Sequence, residues 1–321
     1  MRSRHGHGRP APRVASARRW DFRQGRERPD AREPAFDPGT AGLVLTAAAA
    51  LGLVRATPPA RSGYAHLLVL GGLAHACLRR TAYAALLART ARVGGEVAVL
   101  GSFRPLSPAE SAMLAGAGVP GYATEVDVLD AGVRLAFGVD EPARQSGGPA
   151  DHPHRAWSSR TYRPAGLPPV RVLAAPSSEP DRRRAHTADT QRFWAEHVRL
   201  RAGDPVLMVT APIYVPFQHC DALRTLAVPY GCGIETVGVD PAASAPVPVP
   251  EPTLTRAATG MRASAPAFRP GVKAGAGRAV KARAVPYPGR FCCCMSCLTT
   301  LSGVLPAGPV KYEPDHSLLA R

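Results

Sequence analysis

Asparagine is absent from the 321 residues, and lysine occurs only at Lys273, Lys281 and Lys311. Arginine therefore carries almost all of the basic charge, and alanine, glycine and proline are abundant. This is the usage of a GC-rich genome, so an excess of arginine does not by itself argue for a polyanionic partner. Other absences exclude whole classes. There is no GxGxxG and no Walker A sequence, which removes the commonest phosphate-cradling loops. There is no Ser-His-Asp elbow. The longest apolar run, Ala41 to Val54, has 14 residues, whereas a spanning helix needs about 20.

Cysteine is sparse where a core is expected. Cys77, Cys220 and Cys232 are scattered through apolar stretches, which suits buried free thiols rather than a secreted disulfide scaffold. The other four, Cys292, Cys293, Cys294 and Cys297, include a CxxC without a second pair or a histidine at zinc spacing. No metal site is expected there, and no cofactor is named by the sequence.

The net charge of +16 is concentrated at the ends: +6 over residues 1–59, +3 over 60–240 and +7 over 241–321. A nucleic-acid-binding domain carries its basic footprint on the folded part, so this distribution argues against nucleic acid as the partner. Residues 1–59 read as a disordered basic tail followed by the short apolar helix at Ala41 to Val54. Residues 241–321 hold all three lysines and many prolines. They read as a disordered tail or as translation out of frame.

Between the tails, strands and helices alternate. His66–Leu70, Glu96–Leu100, Val170–Ala174, Val206–Thr210 and Ile234–Gly238 are short apolar runs that read as strands. Leu73–Ala91 is an Ala-rich helix, and Ser107 with Glu110 forms a capping-box pair that opens a second. A third helix runs from Thr124 to Phe137, and a fourth from Thr187, taken as its N-cap, to about Leu200. Pro216 opens a last helix with Phe217, Cys220 and Leu223 on its apolar face. Residues 138–168, rich in Gly, Pro, Ser and Arg, read as a surface insertion. The pattern predicts an α/β fold: a Rossmann-like parallel sheet with helices on both faces, filling residues 60–240.

In such a sheet, ligands bind beyond the carboxyl ends of the strands. Those ends here are Gly71-Gly72, Gly101-Ser102, the loop from Ala175 to His186, and Thr210 to Tyr214. The glycine pair allows close backbone approach, and the next helix offers its N–H groups to an anion. Arg183 and Arg184 precede another helix start, where guanidinium groups suit phosphate. Among groups able to move protons, Glu179, Asp189 and His219 stand out. The carboxylates Glu125 and Asp127 sit at a helix start, where capping explains them. The expected partner is a small anionic ligand. The expected location is cytoplasmic, with membrane association through Ala41 to Val54 as the alternative.

These parts, in this order, resemble the SanA/YdcF-like bacterial family. LVLGG at Leu68–Gly72, VLGS at Val99–Ser102 with the downstream Glu110, HTADT at His186–Thr190 with Thr187 and Asp189, and Val209-Thr210-Ala211 carry the resemblance. His186 stands where the family tends to have Asn, and Tyr214 about where it has His. The resemblance covers residues 64–240. It implies a Rossmann-like domain tied to cell-envelope biogenesis, and a pocket that includes Gly71, Gly72, Ser102, Glu110, Thr187, Thr210 and Tyr214. It implies no particular reaction, and an envelope protein that keeps the fold without the chemistry is the second expectation.

Overall fold

A computed structural model of the protein describes residues 35–148 and 151–240. The expectations for residues 1–34 and 241–321, including the CCCMSC cluster, lie outside them.

Five short, largely apolar strands form the centre of the fold. They are β2 (His66–Leu70), β4 (Val97–Gly101), β7 (Val170–Ala174), β8 (Pro205–Thr210) and β9 (Gly233–Gly238). They pair in parallel in the order β7-β4-β2-β8-β9. The near-continuous apolar sequence of β2, β4 and β8 is that of strands buried on both faces, while Arg171 interrupts β7 and Glu235 interrupts β9. Alternate residues serve opposite faces. Leu67 and Val69 enter one core with Val97, Val99, Val170 and Val172. Leu68 and Leu70 enter the other with Ala98, Leu100 and Met208.

The connections place helices on both sides. The first core is closed by α2 (Ala74–Thr90), by Leu114 of α3 (Pro108–Gly116) and by α4 (Glu125–Phe137). The second is closed by α5 (Thr187–His197) and by the segment joining β8 to β9. That segment is α6 (Val215–Ala222), a π-helical stretch Leu223–Ala227 and the last turn α7 (Val228–Tyr230), stopped by Gly231 at φ 69°. Its buried side chains are Gln218, Ala222, Thr225 and Leu226. The expected face of Phe217, Cys220 and Leu223 is not the buried one: Phe217 is exposed, and Gln218 and Ala222, one turn apart, already face the core before the π stretch begins.

The expected insertion at 138–168 is corrected. It contains an antiparallel pair, β5 (Arg144–Gly148) and β6 (Trp157–Tyr162), that extends the sheet beyond β7 to the order β5-β6-β7-β4-β2-β8-β9. Tyr162 anchors it: its hydroxyl donates to Asp130 Oδ1 at 2.7 Å, while Arg134 and Arg160 pair with the same carboxylate. Burial, reinforced by that hydrogen bond, pushes the Tyr162 phenol up to about 12. A small parallel pair, β1 (Gly63–Tyr64) and β3 (Arg92–Val93), lies apart from the main sheet.

The apolar run near the start forms α1 (Pro38–Ala50), capped by Asp37, whose carboxylate accepts from Thr40 N. Val44, Ala48 and Leu53 bury themselves against Phe36 and against Ile213 in the turn after β8. The expectation of location is corrected by this segment. Among the described residues no helix is long and apolar enough to cross a membrane, and the buried side of α1 packs on the protein's own β8 turn.

Candidate functional site

The carboxyl ends of β2, β4, β7 and β8 form one edge, and the side chains gathered there come mainly from the loops after β2 and β4. The loop after β2 is held through its carbonyls. Arg80 of α2 donates to Leu70 O at 2.6 Å and also to Gly71 O, and Arg104 donates to Gly72 O at 2.9 Å. The Arg104 fork grips Glu110 at 2.8 and 2.9 Å. Glu110 also accepts from Ala74 N, at the start of α2, and from Ser107 N in the expected capping box. Burial alone would raise the Glu110 carboxyl. The Arg104 guanidinium and the two backbone donors outweigh it and hold the group at about 2. Glu110 thus closes part of the α2 N-terminus from inside.

Glu125 is the residue that sequence reasoning set aside. It is the first residue of α4, where a carboxylate reads as a cap, but the cap is formed by Thr124 and Asp127. Thr124 donates to Asp127 Oδ2 through its N–H at 2.9 Å and its hydroxyl at 2.7 Å. Glu125 instead turns inward and is only 7% exposed. Its Oε2 accepts from Ser102 Oγ at 2.7 Å and from Ser102 N at 3.2 Å. Its Oε1 lies beside Gly71, where a Cβ would stand 2.6 Å away. Burial raises the Glu125 carboxyl above the usual carboxylate range. Ser102, Arg104 and Arg184 oppose that rise without cancelling it. The signal available in the sequence was the pair itself: Asp127 has the N3 spacing of a cap, which leaves Glu125 without that task.

The loop after β7 engages its own residues. Arg183 reaches Asp189 Oδ2 at 2.5 Å, Ser178 Oγ at 2.9 Å and Glu179 Oε1 at 3.1 Å. Asp189 is buried and also accepts from His186 N at 3.0 Å. Burial would raise its carboxyl, but His186, Arg183 and Ser178 draw it far below the usual range. The expected N-cap is corrected: His186 occupies that position, its Nδ1 accepting from Asp189 N at 3.3 Å, and Thr187 is the first helical residue. Glu179 is a partly exposed partner of Arg182 and Arg183. Arg184 is the guanidinium of this loop that acts on Glu125.

After β8, Thr210 donates to Gln218 Oε1 inside the protein. Tyr214 is buried and lines a cleft of about 100 Å³ beside Leu73, His75, Arg79, Ile213 and Val239. The cleft lies between the ends of β2 and β8, where the order of strands reverses direction. His219 faces β9, its Nδ1 3.1 Å from Thr236 Oγ1, and burial lowers its imidazole below the usual range. No hydrogen bond among the described residues joins His219 to Glu179 or Asp189. The structure therefore joins Gly71, Gly72, Ser102 and Glu110 into one connected network with Arg104 and Glu125, with Arg184 acting on Glu125. Arg183, Asp189 and Glu179 form a second network, and Thr210, Tyr214 and His219 stand around the β8 turn.

Comparison with known proteins adds a family signal at the start of the chain. A family model described as the Rv3785 N-terminal domain matches residues 14–52, a stretch that includes α1. Three uncharacterised mycobacterial proteins are similar to this chain: Rv3785 and MT3893 of Mycobacterium tuberculosis and Mb3814 of Mycobacterium bovis. Each is 40% identical over 196 residues, covering 59% of this chain and 53% of the relative. The chain spans about half the length of the curated relatives it matches. No solved structure matches.

Proposed function

We propose that the chain binds a small phosphate- or nucleotide-bearing ligand across the carboxyl edge of its sheet. One observation carries the reading. Arg104 and Arg184 put two guanidinium groups in the loops at the carboxyl ends of β4 and β7, and Arg104, gripped by Glu110, also donates to the Gly72 carbonyl of the glycine pair. A guanidinium in such a place meets anionic oxygens with charge-assisted hydrogen bonds. The cleft at Tyr214 offers an apolar and aromatic wall next to it for the remainder of the ligand. The SanA/YdcF-like resemblance extends the proposal to a role in cell-envelope biogenesis.

A thermal-shift screen of nucleotides, nucleotide sugars, S-adenosylmethionine and inorganic phosphate tests it. A ligand at about 100 times its Kd adds roughly 2.7 kcal/mol to stability, a visible rise in melting temperature. A flat response across the panel sinks the reading. A second reading, a non-catalytic envelope protein that keeps the fold, is favoured by Glu110 and Asp189. Both are polar residues expected at the pocket, and both are taken up by internal ion pairs. A ligand that binds and is returned unchanged would select it.

A further inference from the structure

A second cavity, of about 380 Å³, lies against α4 and is lined by none of the residues placed at the strand ends. That volume is within the range of small-molecule sites. Asp127, Asp130 and Arg134 of α4 line it, with Glu141 from the loop that follows. Gln145 of β5 and Arg160 of β6 complete the polar lining. These two are direct partners in the antiparallel register, so their side chains share one face of the pair. The buried part of the lining has more positive than negative charge. Asp130 is 4% exposed, and two guanidinium groups approach it, Arg134 at 3.0 Å and Arg160 at 3.4 Å. One carboxylate does not neutralise both. The Arg160 guanidinium has no other ion pair, and no hydrogen bond, among the described residues. The exposed part of the lining has the opposite sign. Glu141 makes no ion pair within 4 Å among the described residues, although its charge acts on Arg134. Asp127 caps α4 through Oδ2, and its Oδ1 accepts no hydrogen bond among the described residues.

We propose that this cavity binds a small zwitterion of the free amino-acid class, its carboxylate on Arg160 and its ammonium on Glu141. The lining excludes the simpler ligands. An anion alone would face the Glu141 and Asp127 carboxylates, and a cation alone would face Arg160. An apolar molecule would strip these groups of water without replacing it. A ligand carrying both signs meets both. The planar guanidinium matches a carboxylate in shape as well as charge, and an ammonium has three donors to share between Glu141 and Asp127 Oδ1. Tyr162 donates to Asp130 Oδ1 at 2.7 Å and so fixes the carboxylate that positions Arg160. The β5–β6 pair, which supplies Arg160, is what makes the site. This ligand is separate from the one proposed for the strand ends, and neither proposal depends on the other.

The test is an isothermal titration of the full chain with L-alanine, L-serine and L-glutamate. Each is compared with its carboxamide, which lacks the carboxylate, and with its N-acetyl derivative, which lacks the ammonium. At least one amino acid is expected to bind, and blocking either end is expected to weaken it about tenfold or more, the loss of one charge-assisted hydrogen bond. In Arg160→Gln the amino acid should bind no better than its carboxamide does, because the partner of the carboxylate is gone. In Glu141→Gln it should bind no better than its N-acetyl derivative. Glu141 is exposed, so that variant retains the fold, and it carries the test together with the blocked compounds if Arg160→Gln does not fold. An absence of heat with all three amino acids overturns the proposal. So does binding that survives blocking of either end, or that both variants leave unchanged, because the ligand then sits elsewhere.

Discussion

Gly71 and Glu125 meet at the end of β2, with Glu125 Oε1 standing 2.6 Å from the point a Cβ on Gly71 would occupy. Leu100 O would be 2.9 Å from the same atom. No side chain fits there unless the carboxyl or the backbone of β4 moves. Overpacking of this kind costs about 1–3 kcal/mol. Gly71→Ala is therefore expected to lower stability by an amount in that range, seen as a lower urea midpoint, and to disturb the Glu125–Ser102 hydrogen bond. An unchanged midpoint would mean that the two loops are farther apart than described.

The acid limb of stability should be set largely by Arg104 and Glu110. The folded-state Glu110 carboxyl is held at about 2, below its ordinary 4.5. A depressed carboxylate contributes stability that is complete above the unfolded value and is lost as pH falls through the folded one. The window runs from about pH 4.5 down to about 2, and the contribution is about 3 kcal/mol. Asp189, drawn down further, adds to the same slope. Arg104→Met leaves Glu110 buried without its guanidinium, and should cost about 3–5 kcal/mol at neutral pH while flattening the acid slope. Urea unfolding between pH 2 and 7 reads both. An acid slope identical to wild type would show that Arg104 does not set the Glu110 proton.

The strands of the parallel core were legible in the sequence because burial on both faces makes them mostly apolar, with Arg171 in β7 and Glu235 in β9 as interruptions. The pair β5–β6 was not, because RQSGG and WSSRTY are half-exposed at the sheet margin and lack both an apolar run and a clean alternation. What holds them is a long-range contact, Tyr162 to Asp130, that no local pattern announces. At the site, the strand ends could be located from the glycines and the Ser102 and Thr210 positions. The pairing of side chains could not. Arg183 looked like a ligand donor and pairs with Asp189, whereas Glu125 looked like a cap and turns inward onto Ser102. Both outcomes depend on which loop lies across from which, a property of the sheet order rather than of spacing.

The start of α5 gives a direct check on capping. His186 accepts from Asp189 N, and Asp189 returns a bond to His186 N. Thr187 contributes its backbone carbonyl to Thr190 Oγ1, which an alanine retains. Thr187→Ala is expected to change stability by less than about 0.5 kcal/mol. His186→Ala should cost about 1 kcal/mol, the usual loss of a cap. Chemical denaturation of the two variants side by side decides it, and the reverse order would restore Thr187 as the capping residue.

Arg184 supplies the most direct measurement of the central claim. Its guanidinium acts on Glu125 from the loop after β7, and in the proposed complex it holds the anionic group of the ligand. The measurement is an isothermal titration, into wild type and Arg184→Ala, of whichever phosphate-bearing compound most raises the melting temperature. Loss of a charge-assisted hydrogen bond is worth about 1.5–3 kcal/mol, roughly a 10- to 150-fold weakening of Kd. The account predicts that weakening. Equal affinity in the two proteins, together with a large fall in the melting temperature of the free variant, would contradict it and make Arg184 a structural residue.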